Sequence, residues 1–263
     1  MSAELIFIIA LGLGGGYLSG LIASGAGVVF VPLLVIFGYS NVAQISAPAV
    51  AVACWAALFA VIPYYIRNWR EQEWIAGLAL FFGGLATGHL GVAFAQEADP
   101  YYVRLMVSFL AFLCLDLMTR QERRTASLSD PVLVEYQWPG PKPFLLMYLL
   151  LGGITGFAGG VVGSAGGLFL LPLLMILTRM PLRSSIFACH IMMAGSSISA
   201  LYGQSVYGGI NLTLGVPLAA GAIVGGFFGL VAAKFVSDQA INSTSKFFLS
   251  EVALFMLIWS FFA

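Results

Sequence analysis

The chain has 263 residues, of which 60% are hydrophobic and only 8% are charged, and its formal net charge is zero. Its mean hydropathy is +0.99. A soluble domain of this size needs far more charged residues to cover its surface. The composition therefore predicts an all-α polytopic membrane protein and excludes a soluble globular enzyme.

The sequence lacks the short motifs of nucleotide and metal chemistry. It contains no Walker A motif, no dinucleotide-binding fingerprint and no HExxH motif. Cys54, Cys114 and Cys189 lie inside apolar segments without the spacing of metal ligands or redox pairs, which is typical of buried structural thiols. We therefore expect no cofactor, no metal, no catalytic residue and no ATP hydrolysis in this chain. The zero net charge gives no indication of a nucleic acid partner.

Ten apolar segments follow one another along the chain. They run approximately over 5–23, 27–38, 44–65, 75–95, 101–118, 144–162, 166–178, 184–206, 210–233 and 246–262. A membrane-spanning helix needs roughly 20 apolar residues, whereas the segments 27–38 and 166–178 have only about 12. These two short segments predict half-helices, either folded back as re-entrant hairpins or continued as broken spans.

An internal repeat relates the two glycine-rich parts of the chain. A shift of 140 residues aligns 16–36 with 156–176, and eight of the 21 positions are identical. In the first copy the identical residues are Gly16, Gly20, Ser24, Gly27, Pro32, Leu33, Leu34 and Ile36. Each copy has a small-residue centre, SGAG at 24–27 and GSAGG at 163–167, which predicts a helix break. Such a repeat predicts two halves related by pseudo-symmetry.

The repeat and the basic residues together predict the topology. We expect a first repeat over 1–118, a cytoplasmic linker over 119–143 and a second repeat over 144–263. Each repeat has a glycine-rich broken helix or re-entrant hairpin and about three spanning helices. Ten of the eleven basic residues, all but Arg104, then lie at the cytoplasmic face, as the positive-inside rule requires. Each half crosses the membrane an odd number of times, so the repeats are inverted and both termini lie outside.

The duplicated pattern resembles the TauE/SafE family of sulfite and sulfonate transporters. The resemblance rests on GYLSGLIASGAGVVFVPLL at 16–34, GFAGGVVGSAGGLFLLPLL at 156–174, GGLATGHLG at 83–91, GAIVGGFFG at 221–229 and PYYVRL at 100–105. It covers nearly the whole chain. It implies a multi-pass permease of a bacterial-type inner (plasma) membrane that handles small sulfur-containing or organic anions.

An anion halfway across a bilayer needs donors that are already desolvated. Helix N-termini supply unpaired N–H groups and the positive end of the helix dipole. The expected substrate-binding residues are those of the two breaks with one cation from each half: Ser24, Gly25, Gly27, Ser164, Gly166, Gly167, Arg104 and Lys246. The alternatives are tight helix packing for the glycines, favoured for those upstream of the breaks, and snorkelling to lipid headgroups for the cations.

His89 and His190 are ionisable residues inside apolar segments. Imidazole titrates near neutral pH, so either histidine is a candidate for carrying a coupling proton. The alternative is a neutral histidine that makes a hydrogen bond in helix packing.

The expected function is secondary transport of a small sulfur-containing anion, sulfite or an organosulfonate, by alternating access around a midplane site at the two breaks. An anion channel, a carrier of a non-sulfur organic anion and an accessory membrane subunit are the alternatives. An intramembrane enzyme would need a convergent acid, base or metal set, which two isolated histidines do not provide. The expected partners are the anion and the lipid bilayer; the sequence leaves a homodimer open.

The topology predicts the outcome of reporter fusions. A reporter fused at residue 130 should be cytoplasmic and one fused at Ala263 should be external, because the basic loops are retained inside. Paired reporters that are active on only one side of the membrane measure this directly. A cytoplasmic signal from the Ala263 fusion in a folded protein would contradict the inverted repeats.

Overall fold

The computed structural model describes residues 3–39, 47–48, 50–51, 54–55, 71–126, 144–164 and 166–262. Most of the predicted segment 44–65 and residues 127–143 of the predicted linker lie outside this part. In chain order its main helices are α1 (Ala3–Ile22), α2 (Gly27–Ile36), α3 (Glu71–Glu97), α4 (Pro100–Ala126), α5 (Leu145–Val162), α6 (Gly167–Leu173), α7 (Leu182–Gly203), α8 (Leu212–Ala233) and α9 (Asp238–Phe262). The π-helical turns Leu174–Thr178 and Gln204–Gly208 continue α6 and α7.

Seven of the described helices are long and apolar enough to cross a membrane, namely α1, α3, α4, α5, α7, α8 and α9. This confirms the predicted all-α polytopic membrane protein. The apolar stretch of α7 is 83% buried inside the protein, against 28–56% for the other six. Therefore α7 is the most deeply buried of these seven helices, and it packs mainly against α3 and α5.

The chain doubles back after α1. The rings of Phe7 and Phe37 lie 4.3 Å apart between centroids, and the Tyr39 hydroxyl donates a hydrogen bond of 2.9 Å to the Glu4 carboxylate. The end of α2 thus returns to the start of α1. In the second half, Gly166 packs on the Thr155 carbonyl oxygen, so the chain turns back on α5 before α6 begins.

Glycines bring two pairs of helices into backbone contact. Along α1, Gly12, Gly16 and Gly20 face Leu218, Ala222 and Gly226 of α8, and along α5, Gly152, Gly156 and Gly160 face Leu80, Gly84 and Gly88 of α3. A Cβ at any of these six α1 and α5 glycines would overlap a backbone atom of the facing helix. Small residues permit this approach between membrane helices. The predicted packing role of the glycines upstream of the breaks is confirmed.

The α1–α8 interface and the α5–α3 interface are equivalent under the internal repeat: each helix of one interface corresponds to a helix of the other. A shift of 140 residues carries the three α1 glycines onto the three α5 glycines, and a shift of 138 carries Leu80, Gly84 and Gly88 onto Leu218, Ala222 and Gly226. Each half therefore packs its first helix against a helix of the other half, and the halves are interlocked.

The remaining long pair, α4 and α9, packs antiparallel. The Ser108 hydroxyl donates to the Ala253 carbonyl over 2.8 Å, and Arg104 Nη1 donates to the Trp259 carbonyl over 3.1 Å. Successive residues of α4 therefore meet earlier residues of α9. Helix α4 continues past the predicted repeat boundary at residue 118 and ends at Ala126.

At the opposite end of the bundle, Arg183 ties the start of α7 to the connection between α8 and α9. Its guanidinium donates to the carbonyl oxygens of Ala233 and Val236. It also forms an ion pair of 2.7 Å with Asp238. These three partners fix α7 to both neighbouring helices.

The glycine interface predicts different outcomes for two neighbouring glycines of α1. Gly16→Ala should destabilise the protein by about 1–3 kcal/mol, because its methyl group would overlap the backbone of Ala222. Gly14→Ala is the matched control, since no atom outside its own helix neighbourhood lies within 4 Å of a Cβ there. Thermal unfolding of the purified variants in detergent measures the difference, and equal melting temperatures would contradict the proposed contact.

Candidate functional site

The two helix breaks meet inside the bundle. A Cβ at Gly25 would overlap the carbonyl oxygen of Ser164, and a Cβ at Gly27 would overlap that of Gly163. From the other side, a Cβ at Gly167 would overlap the carbonyl oxygen of Ala23. The two breaks are therefore in backbone contact, and we call this region (residues 23–27, 163–164 and 166–167) the crossing.

The backbone of the crossing suits small residues. Gly25, Gly163 and Gly166 have φ angles of 80°, 73° and 75°, a left-handed conformation that glycine adopts without a Cβ penalty. Ala23 is also left-handed, with φ of 51°, at a cost of roughly 1–2 kcal/mol for an L-residue. Sites held in such conformations cluster at functional regions.

Two serines lie in the crossing, and both are buried. Ser24 is 1% exposed and Ser164 is 0% exposed. Within the described part of the chain, the Ser164 hydroxyl oxygen has no hydrogen-bond partner. An unsatisfied buried hydroxyl costs about 1–3 kcal/mol, so this serine keeps a polar group available to a ligand.

A cavity of about 250 Å³ lies beside the crossing. Residues 160–163 form the wall next to the crossing. Helix α4 contributes Arg104, α7 contributes Ser197, and the π-helical turn after α7 contributes Gln204. Pockets for drug-sized ligands measure roughly 300–1,000 Å³. The cavity is therefore of a size that suits a small solute.

Arg104 is the one charged side chain among the described residues that line this cavity. Its guanidinium carbon lies 4.2 Å from the centroid of the Trp259 ring, and its Nη1 donates to the Trp259 carbonyl. The ion pairs found in the described ranges, Arg120–Asp116 and Arg183–Asp238, do not involve it. A cation without a carboxylate partner makes the cavity electropositive, which favours an anion.

The predicted site residues thus fall into two groups. The six break residues lie together at the crossing, in contact with one another or with their own hairpin. Arg104 lies in the adjacent cavity. Lys246 lies on α9, partly buried, and is not among the described residues that line this cavity.

Both histidines contact α7. His190 belongs to α7 and is 0% exposed; its Nδ1 lies 2.9 Å from the Ile186 carbonyl oxygen. Its Nε2 is buried and has no hydrogen-bond partner among the residues that the structure describes. His89, on α3, donates its backbone N–H to the Ser199 hydroxyl over 2.8 Å, and its Nδ1 lies 3.1 Å from the same oxygen. Neither histidine is among the described cavity residues.

Gln204 and Trp259 also line the cavity, although neither was among the predicted site residues. Gln204 is an amide inside the apolar segment 184–206, and that isolated polarity is a signal that can be read from the sequence. Trp259 carries no such signal, because tryptophans near helix ends are also typical of membrane interfaces.

A bundle of apolar helices with interrupted segments at its centre and an electropositive cavity has the architecture of a membrane transporter. The comparison with known proteins agrees. The chain belongs to the sulfite exporter TauE/SafE family, whose model matches residues 8–256. The predicted family is confirmed.

Two proteins named as probable membrane transporter proteins are similar to this chain over nearly its full length. The chain is 22% identical over 251 residues to the probable membrane transporter protein YunE of Bacillus subtilis, covering 90% of this chain and 91% of the relative. It is 26% identical over 264 residues to a probable membrane transporter protein of Xylella fastidiosa, covering 96% and 95%. No solved structure matches the chain significantly.

The cavity charge predicts the effect of replacing Arg104. Arg104→Gln should weaken binding of a small monoanion such as methanesulfonate by about tenfold or more, because the charge-assisted hydrogen bond is lost. Arg104→Lys should give an intermediate affinity, since it keeps the charge and loses the planar fork. Arg120→Gln, on the exposed part of α4, is the control and should bind like the wild type. Equal affinity of Arg104→Gln and wild type in calorimetry would assign Arg104 to helix packing.

Proposed function

We propose that the protein is a secondary carrier that moves a small sulfur-containing anion, sulfite or an organosulfonate, across a bacterial-type inner membrane by alternating access. The observation that carries this proposal is the position of Arg104. Its guanidinium stacks on Trp259 and lines a small cavity beside the crossing, and no carboxylate in the described ranges forms an ion pair with it. The family supports a sulfur oxyanion as the substrate. Since the sequence has no ATP-binding motif, an ion gradient supplies the energy.

In this proposal the two halves are inverted repeats, each with a re-entrant glycine-rich hairpin, and both termini lie outside. Helices α4 and α9 occupy equivalent positions in the two halves, and their antiparallel packing supports the inversion. The exchange of the α1–α8 and α5–α3 contacts supports the pseudo-symmetry of the two halves.

The cavity then opens toward the outer side. Arg104 and Gln204 lie at the end of the bundle that also holds the short α3–α4 connection, which the basic residues assign to the outside. Arg183 and its partners close the other end. The conformation described here is accordingly outward-facing in the proposed cycle.

The crossing is the barrier of this cycle. An anion that has entered the cavity is held by Arg104 and meets the crossing at Gly163. When the hairpins separate, the anion contacts the hydroxyls of Ser24 and Ser164 and the backbone at Gly25, Gly27, Gly166 and Gly167. We propose that Lys246 receives it on the inner side, as the cation of the second half.

We propose proton coupling through His89 and His190. His190 belongs to α7 and His89 makes a hydrogen bond to Ser199 of α7, so a change in the protonation of either acts on the same element. Because the cavity lies within one chain, each protomer of a homodimer would transport independently.

A flux measurement tests the carrier. Proteoliposomes should show saturable exchange of labelled sulfite or taurine, and an imposed pH gradient should change the net flux. His89→Gln combined with His190→Gln should reduce the gradient sensitivity more than it reduces equilibrium exchange.

Two results would contradict this proposal. A current that rises linearly with anion concentration would indicate a channel. Full gradient sensitivity in the double histidine variant would show that both histidines are structural and that coupling lies elsewhere.

A further inference from the structure

Gln204 is a buried amide with an unused donor. Its side chain is 2% exposed, and it lies in the π-helical turn Gln204–Gly208 that continues α7. Its Nε2 has no hydrogen-bond partner in the described part of the chain. Buried polar groups are nearly always hydrogen-bonded, because their hydration is lost on folding. This amide is therefore missing a partner, and the cavity that it lines is where the partner can be found.

The buried hydroxyl of the described cavity wall already has a hydrogen-bond partner. The Ser197 hydroxyl donates to the Ala194 carbonyl over 3.0 Å. Gln96 lies at the rim of the cavity and is exposed. Among the described lining residues, Gln204 is thus the buried uncharged side chain that retains free N–H groups.

The π-helical turn holds this amide in place. A Cβ at Gly208 would overlap the Gln204 amide, so the absence of a side chain at residue 208 makes room for it. Single π-helical turns of this kind occur frequently at functional sites. From this position the Gln204 side chain lines the cavity.

We infer that Gln204 determines substrate specificity by donating a hydrogen bond to one oxygen of a bound oxyanion while Arg104 binds its charge. This inference rests on the proposed function. A sulfonate, sulfite or carboxylate group presents separate oxygens to two donors, whereas a halide presents a single sphere. The amide adds recognition without adding charge, so the cavity keeps one positive charge for one negative charge.

The inference predicts a selectivity that charge alone does not give. Arg104 attracts any small anion, so its replacement should weaken the binding of oxyanions and of halides together. Loss of the Gln204 amide should weaken the binding of oxyanions and leave the binding of halides nearly unchanged. The two residues are therefore separable by the pattern of anions that each variant loses.

The test compares methanesulfonate and bromide binding to the purified full-length protein by calorimetry. Gln204→Met, which is close in size, should lower the affinity for methanesulfonate by about tenfold or more and the affinity for bromide by less than about twofold. Gln204→Glu places a carboxylate beside the anion and should weaken both ligands at neutral pH. Gln239→Met, on the exposed first turn of α9 and away from the cavity, is the matched control for glutamine replacement and should match the wild type.

Two kinds of result would overturn the inference. Unchanged methanesulfonate affinity in Gln204→Met, or equal losses for both anions, would overturn the role of Gln204 and leave the carrier intact. Absence of saturable oxyanion binding in the wild type would overturn the proposed function and this inference with it. Size-exclusion profiles establish folding, and if Gln204→Met does not fold, unchanged affinity in Gln204→Glu would overturn the inference equally.

Discussion

Backbone-to-backbone contact is the constraint on which the whole bundle depends. Lipid tails are as apolar as leucine, so burying apolar side chains gives membrane helices little reason to associate. Association depends on close dispersion contact instead, and glycine permits the closest approach. The same device joins α1 to α8, α5 to α3, and one helix break to the other. A side chain at any of these positions would have to displace a helix backbone.

This packing also determines where charge can act. The glycines of the crossing leave no space for a larger side chain at their own positions, and the charged side chain of the adjacent cavity, Arg104, comes from α4. Within a bundle of low dielectric constant, one guanidinium exerts a stronger and longer-ranged field than it would in water. Trp259 holds that guanidinium by its ring and its carbonyl oxygen. A single arginine is therefore enough to give the small cavity its electrostatic character.

Composition and repeats predicted the membrane class, most of the helices and the packing role of the upstream glycines, because hydropathy and small-residue spacing report directly on lipid contact and helix approach. Helix ends were predicted less well. Helix α9 begins at Asp238, two turns before the predicted start at 246, because its first turns are polar and hydropathy does not detect them. The contact of Arg104 with Trp259, and the presence of Gln204 in the same cavity, were not predictable, since these residues come from separate parts of the chain and come together only through tertiary packing.

The exchange of partners between the halves has a consequence for how the protein is made. Gly16 meets Ala222, a residue synthesised some 200 positions later. During insertion, the glycine face of α1 therefore stays without its partner α8 while most of the chain is still being synthesised. Biogenesis has to keep that face from pairing with other small-residue helices nearby. Final assembly is then a late, cooperative event of the complete chain, and neither half can mature before the other.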